Sequence, residues 1–394
     1  MSREMKHSGI EWIGEIPKEW DVSKIGNLYH VRNEKVSDKD YPPLSVTMNG
    51  IVPQLETAAK TNNGDDRKLV CKGDFAINSR SDRRGSCGVS QYDGSVSLIN
   101  TILTPRTAMN PQFYNWLFHT ELFADEFYKW GHGIVNDLWT TRWQEMKNIS
   151  IVLPSLTEQQ KIANYLDEVC GEVDEMIALQ EQMIEELKAY KQSVITEAVT
   201  KGLNPNAPMK DSGIDWIGKV PYEWLVSKAK FFVIIGNGSD PKTEGNTPVY
   251  GSGSTSFKTC GEYKLGPTVL IGRKGATLHI PHFIEGKYWN VDTAFDVKSK
   301  GNISLRYYYY LAICFDYKYY ISQTTLPGMA QSSYNNMEIP VPPISEQQSI
   351  ASYLDTKCAE IDALIAIKQA KIEELKDYKK SVIYEYVTGK KEVV

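Results

Sequence analysis

Leu156-Thr-Glu-Gln-Gln-Lys-Ile-Ala-Asn-Tyr-Leu-Asp167 returns 188 residues later as Ile344-Ser-Glu-Gln-Gln-Ser-Ile-Ala-Ser-Tyr-Leu-Asp355. The match runs on through Glu185-Glu-Leu-Lys188 and Ser193-Val-Ile195 to Thr200. Each copy opens with a hydroxyl residue followed by Glu-Gln-Gln, at 157–160 and 345–348, which fits a helix capping box. Downstream, Ile162, Leu166, Val169, Val173, Met176, Met183, Leu187, Tyr190 and Val194 follow steps of three and four, skipping only Gln180. The second copy offers Ile350, Leu354, Ile361, Leu364, Ile372, Leu375, Tyr378 and Val382, with Lys368 where Gln180 stood. Such stripes predict one long helix in each copy, ending at Gly202 and Gly389.

About 43 residues at 1.5 Å each make a rod of roughly 65 Å, longer than a single globular core requires. A narrow seam sustained over that length favours pairing with another helix over packing on the helix's own module. Chain order makes the pair antiparallel. The expected interface positions, for the helix pair or for a partner, are Ile162, Leu166, Val173, Leu187 and Val194 with Ile350, Leu354, Ile361, Leu375 and Val382.

A second repeat precedes each helix. Ser8-Gly-Ile-Glu-Trp-Ile-Gly-Glu-Ile-Pro-Lys-Glu-Trp20 returns, displaced by 204, as Ser212-Gly-Ile-Asp-Trp-Ile-Gly-Lys-Val-Pro-Tyr-Glu-Trp224. The order is therefore A-B-A-B, with residues 25–153 and 229–341 lying between matched frames and showing almost no mutual similarity. Such a chain reads as a common scaffold presenting two modules that recognise different things. The expected limits are a first globular domain at 1–154, a central long helix at 155–203, a second globular domain at 204–343 and a C-terminal long helix at 344–394.

Composition narrows the class. The chain has 394 residues, 41% of them hydrophobic, enough for two or three domains. No apolar run approaches the roughly 18 residues of a membrane helix, so a cytoplasmic protein with no membrane partner is expected. Six cysteines stand apart without metal-site spacing and read as free thiols. The net charge of −5 argues mildly against nucleic acid. Ten acidic and four basic residues fall within 154–203, however, so the rest of the chain is nearly neutral and leaves room for a small basic cleft.

A search for catalytic patterns returns near misses. Gly213-Ile-Asp-Trp-Ile-Gly-Lys219 imitates a nucleotide-binding P-loop, but Val220 replaces the magnesium-holding hydroxyl, Pro221 blocks the following helix, and the first copy has Glu15 in place of Lys219. Glu285-Gly-Lys287 lacks the upstream Pro-Asp of a metal-dependent nuclease, since Asp240-Pro241 has the reverse order. Tyr41-Pro-Pro-Leu44 and Val341-Pro-Pro-Ile344 fail as amino-methyltransferase motifs, and no metal site is expected.

The inserts carry polar loops instead. Gly73-Asp-Phe-Ala-Ile-Asn-Ser-Arg80 reads as a strand entering a loop with Arg83 and Arg84, residues that suit guanine edges or phosphate but fit a solvated hairpin equally well. A second loop at 131–142 offers Asn136, Thr141 and Arg142 before the exit strand Ile149–Leu153. The second insert repeats the plan with other letters: Arg273, Lys274 and Thr277, then Gln331, Ser332, Ser333, Tyr334 and Asn335 before an exit strand beginning at Ile339. Gln and Asn suit adenine as Arg suits guanine. The aromatic run Tyr307–Tyr310 reads as a buried helix face.

The A-B-A-B order, the paired openings at Pro154 and Pro342, Gly73-Asp-Phe75 and Ile271-Gly-Arg-Lys-Gly275 together resemble the specificity subunit of type I restriction-modification enzymes, over nearly the whole chain. The resemblance implies a mixed α/β (α+β) protein with two target-recognition domains separated by two antiparallel helices forming a coiled coil. It implies a non-catalytic reader of double-stranded DNA in which each domain takes one half of a split site. The helices would dock two modification (methyltransferase) subunits, with separate restriction (translocase and nuclease) subunits beyond them. It implies no cofactor on this chain, S-adenosylmethionine, ATP and magnesium belonging to the partner subunits. The rival reading is a coiled-coil adaptor without sequence-specific DNA binding.

Overall fold

A computed structural model describes residues 3–54, 64–133, 139–253, 255–321 and 327–393. Two helices dominate it, Leu156–Lys201 and Ile344–Val387. The chain forms two compact units, one of residues 1–180 with 370–394 and the other of residues 181–369, so each unit takes part of both helices. No helix among the described residues is long and apolar enough to cross a membrane.

In the first unit, strand Asp21–Lys24 pairs antiparallel with exit strand Ser150–Leu153, so the module begins and ends side by side. Between them runs an antiparallel sheet in the order Cys87–Val89, Phe75–Asn78, Asn100–Pro105, Tyr29–Arg32. Helices Pro111–Phe118 and Glu121–Lys129 cover it with buried Phe113, Tyr114, Phe118, Phe123 and Phe127.

The second unit repeats this plan. Leu225–Lys228 pairs with Glu338–Val341, and the sheet order is His282–Ile284, Thr268–Gly272, Ala294–Ser299, Val233–Asn237. Helix Leu305–Ile313 turns Tyr307, Tyr308 and Tyr310 into the core, as the aromatic run predicted. Dissimilar inserts thus share one topology, because sheet pairing uses backbone groups and asks of the side chains only burial.

The Glu-Gln-Gln motif explains how each helix is rooted. Gln159 and Gln347 are buried. The Gln159 amide donates to the Pro154 carbonyl at 2.9 Å and accepts from the Asn110 amide at 2.9 Å. Gln347 does the same with the Pro342 carbonyl and the Ser304 amide, both at 2.8 Å. Asn110 and Ser304 in turn cap the module helices that follow them. One glutamine therefore ties the helix start, the exit strand and a module helix together. The preceding glutamate accepts from the indole of repeat A: Trp20 to Glu158 at 2.7 Å and Trp224 to Glu346 at 2.9 Å. The capping-box expectation is corrected. The helices begin at Leu156 and Ile344, which puts Thr157 and Ser345 inside the first turn. Ser155 accepts from the Glu158 amide, and Pro343 at the matching place has no hydroxyl.

The far end of each helix meets the other module's copy of repeat A. Gly202 and Gly389 adopt φ of 75° and 71°, conformations that favour glycine. A Cβ on Gly389 would lie 2.4 Å from Pro17, and one on Gly202 3.0 Å from the Trp224 ring. Ile195, Ala198 and Val199 of the central helix accordingly join the second core, while Val382 and Val387 of the C-terminal helix join the first.

Within both units the helices run antiparallel. Lys379 pairs with Asp174 and Lys191 with Asp362, each at 2.6 Å, and the 188-residue displacement interchanges the two pairs. Half-exposed pairs of this kind contribute at most about 1 kcal/mol each, so they fix register more than stability. The buried seam steps by eleven: Ile162, Val173, Ile184 and Ile195, then Ile350, Ile361 and Ile372, with Ile383 half-buried. Eleven residues over three turns is about 3.67 per turn, against 3.5 for a heptad. The expected stripe drifts off this seam. Met176, Met183, Tyr190, Leu364 and Tyr378 are exposed, and Leu187 and Val194 only half-buried. Ile162, Leu166, Val173, Ile350, Leu354, Ile361, Leu375 and Val382 are buried.

Gln347→Ala would leave the buried Pro342 carbonyl and the part-buried Ser304 amide without their glutamine partner, and is expected to lower unfolding free energy by about 3 kcal/mol. Gln348→Ala, at an exposed position, is expected to stay within about 0.5 kcal/mol. Chemical denaturation checks both, and equal effects would contradict the rooting role.

Candidate nucleic-acid interface

The polar loops singled out from sequence come together in pairs. In the first unit, the loop leaving strand Phe75–Asn78 meets the segment before the exit strand. Arg80 bridges Thr140, the Ser81 amide donates to the Trp139 carbonyl at 2.9 Å, and the Thr141 amide donates to the Ser79 carbonyl at 2.9 Å. In the second unit, Lys274 bridges Gly328, and the Met329 amide donates to the Arg273 carbonyl at 2.9 Å.

The root of the first loop is set by Asp74. Its buried carboxylate accepts from Arg32 at 2.8 Å, from the Cys71 amide at 2.9 Å and from the Thr104 hydroxyl at 2.9 Å. Thr268 is buried in the strand that leads into the second loop, and its hydroxyl donates to the Val297 carbonyl at 2.9 Å.

Side chains divide by what already holds them. Arg80 and Arg83 are exposed, and Arg83 lies 3.9 Å from Asp82. Arg84 forms an ion pair with Asp125. Arg142 is exposed, and its backbone amide donates to the Glu145 carboxylate at 3.1 Å. Arg273 is half-buried over the Phe295 ring, Lys274 lies 3.6 Å from Asp292, and Thr277 is exposed. Ser332 is exposed, with Ser333 and Asn335 half-buried on the helix Gln331–Asn336. Asn136 lies outside the described residues.

Two expected contacts are corrected. Thr141 is fully buried, its hydroxyl donating to the Phe127 carbonyl at 2.8 Å. Tyr334 is fully buried and donates to the Gly272 carbonyl at 2.7 Å. Gln331 is half-buried, and its amide nitrogen donates to the Ile235 carbonyl at 2.6 Å. Each of the three donates to a main-chain carbonyl of a neighbouring helix or strand. The carboxylates that hold Arg84 and Lys274 were missed, because Asp125 and Asp292 stand far from them in sequence.

The sites offer recognition without an activated nucleophile among the thiols. All six cysteines are free, and burial pushes the Cys170 and Cys314 thiols up to about 11 and that of Cys87 still higher. Such thiols stay protonated near neutral pH.

Two topologically equivalent modules, each ending in a basic polar loop and rooted on a shared helix pair, define a two-module recognition protein. The chain belongs to the type I restriction-modification DNA specificity family, whose model matches residues 17–189 and 231–377. It is a specificity subunit, a DNA-recognition component without catalysis of its own. Relatives include two type I restriction enzyme specificity subunits of Methanocaldococcus jannaschii. MjaX is 23% identical, with 96% of this chain and 95% of that one covered. MjaVIII is 26% identical, covering 95% and 93%. The fold also matches a chain from a study of complex assembly and conformational transition in a type I R-M system, at a TM-score of 0.75 and 15% identity over 95% of this chain and 99% of that one. The HsdS subunit of Thermoanaerobacter tengcongensis matches at 0.53 and 17% identity, over 95% and 98%.

Arg80→Ala is expected to weaken DNA binding and flatten its salt dependence while leaving stability unchanged. Thr141→Val is expected to do the reverse, lowering stability by about 1 kcal/mol with affinity retained. Salt-titrated binding beside thermal unfolding checks the pair.

Proposed function

We propose that each unit reads one half of a two-part duplex DNA target, and that the helix pair docks two modification subunits, one beside each unit. The observation that carries this reading is the internal repetition itself. One scaffold and one sheet topology occur twice, with different side chains at the loops. Arg80, Arg83 and Arg142 in the first module and Arg273, Lys274, Thr277, Ser332, Ser333 and Asn335 in the second are the proposed DNA-facing residues.

Docking is supported by exposed apolar side chains on the two helices, Met176, Tyr190, Leu364 and Tyr378 from the expected stripe together with Leu179 and Ile367. In the first unit Met176, Leu179 and Tyr378 are exposed at 47%, 53% and 52%; in the second, Leu364, Ile367 and Tyr190 are exposed at 47%, 63% and 58%. The 188-residue displacement interchanges these two sets. Repeated exposed apolar side chains mark an interaction surface, and two equivalent patches fit two copies of one partner.

In this reading S-adenosylmethionine binds the modification subunits, and an adenine in each half-site flips into their pockets once the half-site is recognised. ATP, magnesium, translocation and cleavage belong to separate restriction subunits. The chain's own work is to bind and orient. With a net charge of −5, it depends on basic surface from its partners for much of the phosphate attraction.

Co-purification with the modification subunit, followed by mass measurement of the complex, tests the docking claim. Two modification subunits per chain are expected. Leu364→Asp with Ile367→Asp leaves one, as does Met176→Asp with Leu179→Asp, and combining all four leaves none. Unchanged stoichiometry in the fourfold variant would contradict it.

A further inference from the structure

In each module a β-hairpin lies against the basic loop and holds out one apolar side chain that neither the repeats nor the polar-loop pattern singles out. In the first unit it is Leu44–Thr47 with Gly50–Pro53, joined by Met48 and Asn49. The turn is locked: the Thr47 hydroxyl donates to the Gly50 carbonyl at 2.8 Å and accepts from the Asn49 amide at 3.2 Å. Met48 is 68% exposed at the tip. A Cβ built on Gly88 would lie 2.8 Å from the Gly50 Cα, so the hairpin abuts the strand that follows the arginine loop. The Met48 methyl itself lies 4.0 Å from where a Cβ of Gly85 would stand, over the end of the Arg80–Gly85 loop.

The second unit has the counterpart at the same place in chain order, between the first and second strands of its main sheet. Strand Thr247–Tyr250 pairs antiparallel with Lys258–Cys260. Beyond the first of these strands Ser252 meets the other basic loop: its hydroxyl is 2.9 Å from the Cβ position of Gly275 and 3.5 Å from the Thr277 hydroxyl. Immediately before the second strand Phe257 is 60% exposed, with the Lys258 ammonium 5.5 Å from its ring centroid.

A ligand that matches an exposed apolar group beside a cationic loop is anionic around its edges and apolar at one point. A two-stranded ribbon fits the major groove of B-DNA, where the single apolar group on the base edges is the thymine 5-methyl. Resting on the DNA-reading function proposed above, we infer that these hairpins enter the major groove and that Met48 and Phe257 each contact a thymine methyl, one in each half-site. The basic loops alongside hold the flanking phosphates and guanine edges. Met48 and Phe257 are therefore specificity-determining residues, and the two modules use the same device with a short loop in one and a longer loop in the other.

The test uses the full chain in complex with its modification subunits, on duplexes carrying the target identified by sequencing the methylated DNA the complex produces. Each thymine of each half-site is replaced in turn by uracil, which removes only the methyl group. The wild-type complex is expected to lose about five- to tenfold in affinity at one position in each half-site. Met48→Ala is expected to abolish that sensitivity in one half-site only, and Phe257→Ala in the other only, with thermal unfolding unchanged in both. If the wild-type complex fails to prefer its target over scrambled duplex, the DNA-reading function itself falls, and this inference with it. If the preference stands but uracil costs the same in wild type and variants, the methyl contacts are overturned while the function survives.

Discussion

The structure depends on how two long helices are anchored at both ends. A buried glutamine, Gln159 or Gln347, joins helix start, exit strand and module helix through its side-chain hydrogen bonds. The adjacent glutamate takes the indole of repeat A, and the last glycine of the other helix closes over that same segment. Repeat A is thus a socket, and repeat B a rod that begins beside one socket and ends in the next. This explains why the frames keep their sequence while the inserts differ. The insert needs only to deliver two strand ends and one capped helix to fixed positions.

The repeats, the helices and their antiparallel pairing were legible because they rest on local periodicity and self-similarity. The helix seam was legible only in part. Heptad and eleven-residue patterns differ by about 0.17 residue per turn, so over a few turns the stripe moves by one position, from Met183 to Ile184 and from Val194 to Ile195. That displaced Met176, Tyr190, Leu364 and Tyr378 to the outside, where they gain a different meaning.

The recognition loops were legible as places and less so as side chains. The matching order of strand, polar loop, second polar loop and exit strand marked them, and the structure brings the two loops of each module together. Thr141 and Tyr334 look like base-reading residues in sequence, yet they are buried and donate to backbone carbonyls inside the fold. Hydrogen-bonding capacity is the same property whether it faces DNA or protein; only burial separates the two. Met48 and Phe257 escaped for the opposite reason: a lone apolar residue in a polar turn carries no periodic signal.

The central claim is that the two modules read DNA independently on one scaffold. The most direct measurement replaces residues 25–153 with the matching segment of a family member of different specificity and keeps everything else. The hybrid is co-expressed with the modification subunit in a methylation-free host, and the methylated DNA is sequenced. The account predicts a two-part motif in which one half changes and the other is retained. A change in both halves would contradict it.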